Sequence, residues 1–474
     1  MVLRIAAFAA VWALYFAVTE YASAIHNDMA EAYAWGREFQ LGYNQHPPFW
    51  AWLCGAWFLV FPRANWAFAL LSMLNAGVGL LGAWALIGRF VDGDRRVAAT
   101  ALLALTPFYS FLAYKYNANS IFLSLWPWTL YAFVAALRGR GLAASLGFGA
   151  MMGLALNSKY YALTLAATCL FAALSSRERA RYFRSASPYL TVAVALALLA
   201  PHLYWLATTG APPLRYLARV SGRGFAEAGL FAATAALGAA LQQVLPLGLI
   251  AAARPRDRED VVDAENRRLL TVLALAPVAL SVLAALALRT KISSNMLIGV
   301  FPLSPLLAMV WLRPDPARLR RWALRGAAAL LLAALAASPL IAVGKAWYGR
   351  DSEDGEPRRE AAQAATDLWR RTTPAPLRFV AGSFRYDNAA AFYSPEHPSV
   401  FVNFDYFGNR WVSAEKLAAQ GLLTICLKAD ARCRADSAQY ETPATRREEI
   451  TLAHVAFGRA RAPVEFVLSA IPPR

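Results

Sequence analysis

Long apolar runs, separated by short charged loops, dominate the first three quarters of the chain. A hydrocarbon core about 30 Å thick needs about 20 mostly apolar residues in one helix. The runs that meet or approach this length predict eleven membrane-spanning helices, at residues 3–19, 65–88, 97–113, 119–137, 142–157, 160–175, 188–207, 228–253, 269–288, 295–312 and 324–344. The pattern therefore predicts a polytopic α-helical membrane protein as far as about residue 345.

A further apolar stretch, residues 49–61, is too short to span the membrane at about a dozen residues. The most basic loops, at 177–184, 254–268 and 313–325, all fall on one side, and they share that side with the N-terminus only if this stretch does not cross. The positive-inside rule then predicts an interfacial helix here, a cytoplasmic N-terminus and an exterior location after residue 345. A cleaved signal peptide ending near residues 22–24 is the alternative interpretation of the first run.

Composition narrows the class of protein. The 474 residues are 58% hydrophobic and 16% charged, which excludes a soluble globular or a disordered chain. The net charge of +17 would suggest nucleic acid as a partner of a soluble protein, but here the basic loops set orientation in the membrane. The sequence contains no P-loop, dinucleotide fingerprint or nucleophile elbow. Its histidines are scattered, and we expect His202 to be a satisfied structural histidine. We therefore predict neither a nucleotide cofactor nor a metal site.

Residues 346–474 have the composition of a soluble domain. After a polar linker at 351–359, strand-like runs at 378–382, 399–404 and 422–427 and a helical run at 414–420 predict a small exterior α/β domain. Cys426 and Cys433 are seven residues apart, and an oxidising compartment favours a local disulfide between them. The predicted organisation is a membrane domain at 1–345 and an exterior domain at 346–474.

Few polar side chains lie on the predicted exterior face. In the first exterior loop, residues 20–64, Asp28 and Glu31 are three apart and point the same way on a helix; a solvated amphipathic helix on the headgroups is the alternative. The other exterior loops are basic, against the positive-inside bias. They bind either anionic headgroups or a phosphate or diphosphate at the membrane surface, and their polar residues are Lys115, Asn117, Asn119, Lys159, Tyr160, Tyr161, Arg289 and Lys291.

One motif is more specific. The run Asp28-x4-Tyr33-x8-Gly42-Tyr43-x2-His46-Pro47-Pro48, followed by an aromatic interfacial helix, resembles the GT-C glycosyltransferases of family 39 type. These include protein O-mannosyltransferases, lipid A aminoarabinose transferases and galacturonosyltransferases of the RgtA/B/C/D-like group. The resemblance covers about residues 1–345. It departs from the family at Met29, where many members carry a second acid, and in the 115–119 loop, where asparagines replace an acid.

The resemblance implies an enzyme of the bacterial cytoplasmic (inner) membrane with a GT-C-like fold. It would move a sugar, with inversion, from a polyprenyl-phosphate carrier to lipid A, a lipopolysaccharide core, another glycan or a protein outside the membrane. Asp28 maps to the catalytic base of the family. A carboxylate suits proton removal from an acceptor hydroxyl, and fixed cations stabilise a leaving phosphate.

The remaining residues take roles around that step. We expect the donor phosphate to bind Lys159 first, then Lys115, Arg289 and Lys291. We expect the substrates to contact Glu31, His46, Asn117, Asn119, Tyr160 and Tyr161. A polyprenyl-linked lipid transporter or flippase is the alternative function, and a non-catalytic glycan-binding scaffold of the same fold is a third.

Overall fold

The computed structural model describes residues 1–253, 260–348 and 355–474. The α-helices within these ranges are α1 Val2–Thr19, α2 Asn27–Gly36, α3 Phe49–Val60, α4 Asn65–Ile87, α5 Gly93–Ala104, α6 Phe122–Leu137, α7 Leu142–Leu156, α8 Ala162–Ser175, α9 Arg179–Arg184, α10 Ser187–Thr209, α11 Pro212–Val220, α12 Phe225–Leu241, α13 Val244–Ala252, α14 Ala264–Leu288, α15 Ser304–Leu312, α16 Pro316–Tyr348, α17 Arg358–Thr372, α18 Phe384–Tyr393, α19 Ala414–Gln420 and α20 Ala431–Ala438. The strands are β1 Phe379–Gly382, β2 Ser399–Val400, β3 Leu422–Leu427, β4 Arg446–Leu452, β5 Val455–Ala456, β6 Arg459–Ala460 and β7 Val464–Ile471.

Fewer helices are long enough to cross a membrane than the apolar runs predict. Among the described residues, α1, α4, α10, α14 and α16 meet the length and hydropathy expected of a span, and α11 with α12, bent by 101°, would make a sixth. Helices α3, α6, α7 and α8 are apolar but shorter. The difference arises because apolar runs are interrupted: the predicted 228–253 span divides into α12 and α13, and the 295–312 run is α-helical only from Ser304.

The chain forms two compact units, and each combines segments that are distant in the sequence. The first unit consists of Met1–Ala13, Gln45–Phe49 and Leu70–Ala336, and the second of Leu14–Asn44, Trp50–Ala69 and Ala337–Arg474. The predicted division at residue 345 stays a prediction. Parts of two predicted segments, residues 254–259 of a basic loop and 351–354 of the linker, lie outside the described residues.

Small residues allow close helix packing in the first unit. Helix α7 packs against both α6 and α10. A Cβ atom at Gly149 of α7 would lie 2.7 Å from the carbonyl oxygen of Thr191 in α10, so only glycine permits this approach. Small residues spaced along one helix face are typical of helix contacts within membranes.

The second unit contains a five-stranded mixed sheet, in the order β2-β1-β3-β7-β4. Strand β1 is parallel to β2 and β3, whereas β7 is antiparallel to β3 and β4. The predicted strands at 378–382 and 422–427 and the helix at 414–420 are confirmed as β1, β3 and α19. The predicted 399–404 strand is wrong beyond Val400, because Asn403 and Phe404 adopt positive φ angles. Cys426 and Cys433 form the predicted disulfide, with Cα atoms 5.6 Å apart.

Candidate active site

Helix α2 presents one polar side chain and buries the rest. Its other nine residues, Asn27 and Met29–Gly36, are buried, whereas the side chain of Asp28 is 41% exposed. A solvated amphipathic helix would expose a whole polar face, so this alternative is wrong. Asp28 lies in the first helical turn, where the partial positive charge of the backbone N–H groups favours a carboxylate.

His26 caps this helix next to the carboxylate. The Nδ1 atom of His26 accepts a hydrogen bond from the backbone N–H of Asp28 at 3.2 Å, and it lies 3.8 Å from Oδ1 of Asp28. An Nδ1 atom that accepts a hydrogen bond carries no proton, so the other ring nitrogen, Nε2, carries it. The cap fixes the start of α2 and with it the position of Asp28.

Glu31 lies in a different environment from Asp28, although the two are three residues apart. Glu31 is buried, and its charge acts on the fully buried Asp387 of α18. Burial raises the pKa of Asp387 well above its usual range; the charge of Glu31 adds to this rise, and a backbone hydrogen bond from Asn388 opposes it. Met29 is fully buried as well, so the position where family members carry a second acid is enclosed in this chain.

Helix α2 crosses α3 at two glycines. A Cβ atom at Gly36 would lie 2.2 Å from the carbonyl oxygen of Ala51, and one at Gly55 would lie 2.2 Å from that of Gly36. These are backbone atoms, which cannot rotate away as a side chain would. The close crossing therefore sets the height and angle at which α2 carries Asp28.

A second group of predicted residues meets in the first unit, and we call His46, Asn119 and Lys159 the Lys159 cluster. The ammonium group of Lys159 donates to Oδ1 of Asn119 at 2.5 Å. Burial, and then the charge of Lys159, lower the pKa of His46 to about 3, so this imidazole is neutral at pH 7. Three loops that are distant in the sequence thus supply one cation, one amide and one neutral imidazole.

The loop at residues 115–119 is shaped by one of its own asparagines. Oδ1 of Asn117 accepts hydrogen bonds from the backbone N–H groups of Asn119 and Ser120, at 2.8 and 2.9 Å. This turn places Asn119 where its amide oxygen accepts from Lys159. Lys115, in contrast, is exposed.

The two predicted tyrosines each bond to a side chain from another helix. The hydroxyl of Tyr160 lies 2.8 Å from Nε2 of His202, and the hydroxyl of Tyr161 lies 2.6 Å from Oγ of Ser281. His202 is almost fully buried, which confirms it as a satisfied structural histidine. Both phenol rings are therefore held in defined orientations beside Lys159 in the sequence.

Two further predicted cations, Arg289 and Lys291, lie close to Arg223, and we call these three residues the Arg289 cluster. The backbone N–H of Arg223 donates to the carbonyl of Arg289 at 3.0 Å. The guanidinium of Arg289 lies 5.5 Å from the ring centroid of Phe225, and the ammonium of Lys291 lies 5.3 Å from that of Phe231. Arg223 was not predicted as a site residue, because no local motif singles it out within a basic loop.

The predicted residues are divided between the two units. Asp28 and Glu31 belong to the second unit, and the first contains His46, Lys115, Asn117, Asn119, Lys159, Tyr160, Tyr161, Arg289 and Lys291. Across the described ranges, no three His, Cys, Asp or Glu side chains are grouped as metal ligands would be.

Comparison with known proteins adds sequence and fold evidence. The family model described as dolichyl-phosphate-mannose-protein mannosyltransferase matches residues 45–205. The lipopolysaccharide core galacturonosyltransferase RgtB of Rhizobium johnstonii is 32% identical over 179 residues, which cover 35% of this chain and 34% of that relative. The chain thus aligns with about a third of the length of this relative.

Two solved structures match almost the whole chain. The structure of ArnT from Cupriavidus metallidurans bound to undecaprenyl phosphate has a TM-score of 0.59, with 15% identity over 98% of this chain and 97% of that one. The apo structure of the same protein has a TM-score of 0.61, with the same identity and coverage. The chain therefore shares the GT-C fold of ArnT. Five described helices are long and apolar enough to span a membrane, which indicates a multi-pass membrane protein.

The family match covers only part of the predicted site. The matched range 45–205 includes the whole Lys159 cluster, Lys115, Asn117 and the two tyrosines. Asp28, Glu31, Arg289 and Lys291 lie outside it. The role of Asp28 therefore depends on the motif that begins at this residue and on its exposure on α2.

Proposed function

We propose that this protein is a GT-C glycosyltransferase, which transfers a sugar from a polyprenyl-phosphate carrier to a lipid, glycan or protein acceptor, with inversion at the anomeric carbon. The observation that carries the proposal is the exposed carboxylate of Asp28 on a helix that is otherwise buried. Asp28 takes the proton of the acceptor hydroxyl as its oxygen bonds to the anomeric carbon. The bond from that carbon to the phosphate oxygen breaks, and its electrons leave with the polyprenyl phosphate. A positioned base contributes about 10²- to 10⁴-fold to such a step.

Lys159 is the first candidate for the leaving phosphate. It is a partly buried cation, and the loop of Asn117 holds the amide that accepts from its ammonium group. His46 remains neutral beside it, so it adds no competing charge at pH 7. Lys115, Arg289 and Lys291 are exposed and supply further positive charge in their loops. Cations fixed before the reaction stabilise the charge that develops on the phosphate.

The relatives support the choice of substrates. ArnT, which shares the fold, has been solved with undecaprenyl phosphate bound, and this favours a polyprenyl-phosphate donor. RgtB acts on the lipopolysaccharide core, and this favours a glycolipid acceptor over a protein. Glu31, His46, Asn119, Tyr160 and Tyr161 remain the proposed substrate contacts, with Asn117 shaping the loop.

We place the protein in the bacterial cytoplasmic membrane, with the N-terminus in the cytoplasm and residues 346–474 outside. The positive-inside distribution of basic loops supports this orientation. The disulfide between Cys426 and Cys433 supports it too, because disulfides persist in oxidising compartments.

Lipid transport is the second candidate, and one observation favours it. The apolar segment that contains α12 and α13 is interrupted at Gln242 and Gln243, and Gln243 is buried. Interrupted helices with buried polar groups are typical of transporters. A transporter would move the carrier without breaking the bond between sugar and phosphate.

The test measures release of free polyprenyl phosphate in proteoliposomes. Wild type and Asp28→Asn are compared with a panel of polyprenyl-phosphate sugars and with lipopolysaccharide core as acceptor, and donor binding is measured separately. We expect release by wild type, and a loss of 10²-fold or more in the variant with donor binding retained. Asp92→Asn changes an exposed acid in the same way and serves as the control.

Equal release by wild type and Asp28→Asn would remove Asp28 from the mechanism, and Glu31→Gln would be tested next. Movement of the intact donor across the bilayer without release would contradict glycosyl transfer and support transport.

A further inference from the structure

The segment that leads into α2 is held at one residue by side chains from the C-terminal part of the chain. The backbone N–H of Ile25 donates to the hydroxyl of Tyr393 at 2.8 Å, and the carbonyl of Ile25 accepts from the guanidinium of Arg358 at 2.9 Å. These partners are 368 and 333 residues away in sequence. Ile25 is fully buried, so both of its backbone groups are satisfied by these side chains and not by water.

Arg358 is itself fixed from the other side. Its side chain is fully buried, and its Nε donates to Glu356 at 2.9 Å. The second oxygen of Glu356 accepts from Arg385 at 2.6 Å. Hydrogen bonds between charged groups are short and directional. The guanidinium that donates to the Ile25 carbonyl therefore has little freedom to move.

Tyr393 joins the same segment to the start of α4. Its hydroxyl accepts from Ile25 and donates to Oδ1 of Asn65 at 3.2 Å. The amide nitrogen of Asn65 in turn donates to the carbonyls of Glu20 and Ser23, at 2.8 and 2.7 Å. Between the end of α1 and Ile25, side-chain hydrogen bonds therefore hold the backbone at Glu20, Ser23 and Ile25.

The contact continues along α2 itself. Helix α18, which ends at Tyr393, packs against α2, and the ring of Phe392 lies 5.3 Å from that of Tyr33. Asp28 lies three residues after Ile25, one helical turn from the fixed backbone groups. The carboxylate of Asp28 thus belongs to a helix whose preceding segment is hydrogen-bonded to residues after 355 and whose side packs against α18.

We propose that Tyr393 and Arg358 are positioning residues for Asp28, which hold the first turn of α2 in the orientation that proton transfer requires. The proposal rests on the proposed function, because it takes Asp28 as the base. Neither residue touches substrate in this proposal; each acts through the backbone of Ile25. A displacement of about 1 Å in a catalytic group can cost about 10²-fold in rate. Greater mobility of the first turn of α2 should therefore lower kcat.

The first variant is Tyr393→Phe, which removes the hydroxyl and keeps the ring. We expect kcat to fall by about ten- to a hundredfold while KM for the donor stays within about twofold. Arg358→Lys keeps the charge but lacks the planar guanidinium. We expect it to lower kcat as well. Tyr386→Phe is the matched control, since this ring lies on the same helix but faces Phe466 of the sheet.

Two further readouts separate positioning from general stability. Hydrogen–deuterium exchange of the peptide 20–35 should show faster exchange at Ile25 in Tyr393→Phe, and unchanged exchange in the control. In the double variant Asp28→Asn with Tyr393→Phe, kcat should equal that of Asp28→Asn alone, because a residue that acts only through Asp28 has no effect once the base is lost.

Additive losses in the double variant would overturn the proposal, because they indicate a general structural role. Wild-type kcat or unchanged exchange at Ile25 in Tyr393→Phe would also overturn it. Full activity of Asp28→Asn would instead overturn the proposed function, together with the catalytic part of this proposal. The two failures are distinguishable because the exchange of Ile25 is measured without activity.

Discussion

The buried carboxyl of Asp387 should make the stability of the protein depend on pH in a defined direction. The side chain is fully buried in α18. Its Oδ1 accepts from the backbone N–H of Asn388 at 2.6 Å, and Oδ2 has no hydrogen-bond partner among the described residues. Burial raises the pKa of Asp387 well above its usual range, against the lowering effect of the Asn388 hydrogen bond, and the charge of Glu31 on α2 adds to the rise. The folded chain therefore keeps a proton here that the unfolded chain releases.

The sign and the size follow from proton linkage. An unfolded aspartate has a pKa of about 3.9. Below that pH, Asp387 is protonated in both states and contributes no pH dependence. Between that pH and its raised folded pKa, unfolding releases one proton, so the free energy of unfolding falls by about 1.4 kcal/mol per pH unit. Above the folded pKa this contribution is constant again.

Asp387→Asn removes the ionisable group and keeps its shape. We expect the variant and the wild type to have similar stability near pH 4. From there towards pH 7 the variant should become more stable than the wild type, by up to about 1.4 kcal/mol for each pH unit. Unfolding by denaturant is monitored by hydrogen–deuterium exchange of peptides from α18. This measures the free energy of opening in this part of the chain at each pH.

The control is Asp367→Asn, which makes the same change at an exposed position of the neighbouring helix α17. Its free energy of unfolding should change with pH in the same way as that of wild type from pH 4 to pH 7. Parallel curves for Asp387→Asn would refute the reasoning, because they would mean that Asp387 ionises equally readily in both states.

Two other predictions concern the proposed site. Lys159→Met should weaken binding of polyprenyl phosphate by about ten- to a hundredfold, the cost of a hydrogen bond to a charged group, and it should raise the pKa of His46 from about 3. The control is Lys428→Met, at an exposed position directly after β3. Equal affinities of Lys159→Met and wild type would exclude Lys159 from phosphate binding. Gly55→Ala places a Cβ atom 2.2 Å from a backbone oxygen of α2, so we expect kcat for sugar transfer to fall by about 10²-fold. Gly147→Ala, which meets no atom within 4 Å, should leave the rate unchanged, and normal turnover in Gly55→Ala would contradict a fixed crossing of the two helices.

Local patterns in the sequence predicted several elements correctly. Runs of apolar residues indicate a membrane protein because each run alone must fill the hydrocarbon core, and α1, α4 and α10 form where such runs occur. The strand-like run that forms β3 and the spacing of Cys426 and Cys433 also depend only on neighbours in the sequence. Asp28 was identified from a motif of the same local kind.

Burial within one helix could not be predicted in this way. Asp28 and Glu31 are three residues apart, which predicts that they share one face, yet Asp28 is exposed and Glu31 is buried. The difference is decided by α18, which packs against α2 from more than 300 residues away and brings Asp387 towards Glu31. Helical spacing specifies which residues are neighbours on a surface, but not what covers that surface.

The sequence by itself therefore determined the class of protein, the apolar segments, the family resemblance and the residue types suited to the chemistry. Only the tertiary structure decided that Lys159 bonds to Asn119, that Arg223 joins Arg289, and that Ile25 is held by side chains of α17 and α18. The physical reason is the separation in sequence over which each effect acts, because hydropathy and turn patterns involve only a few neighbouring residues. Hydrogen bonds and burial join segments that only the folded chain brings together, over 40 residues for Lys159 and Asn119 and 333 for Arg358 and Ile25.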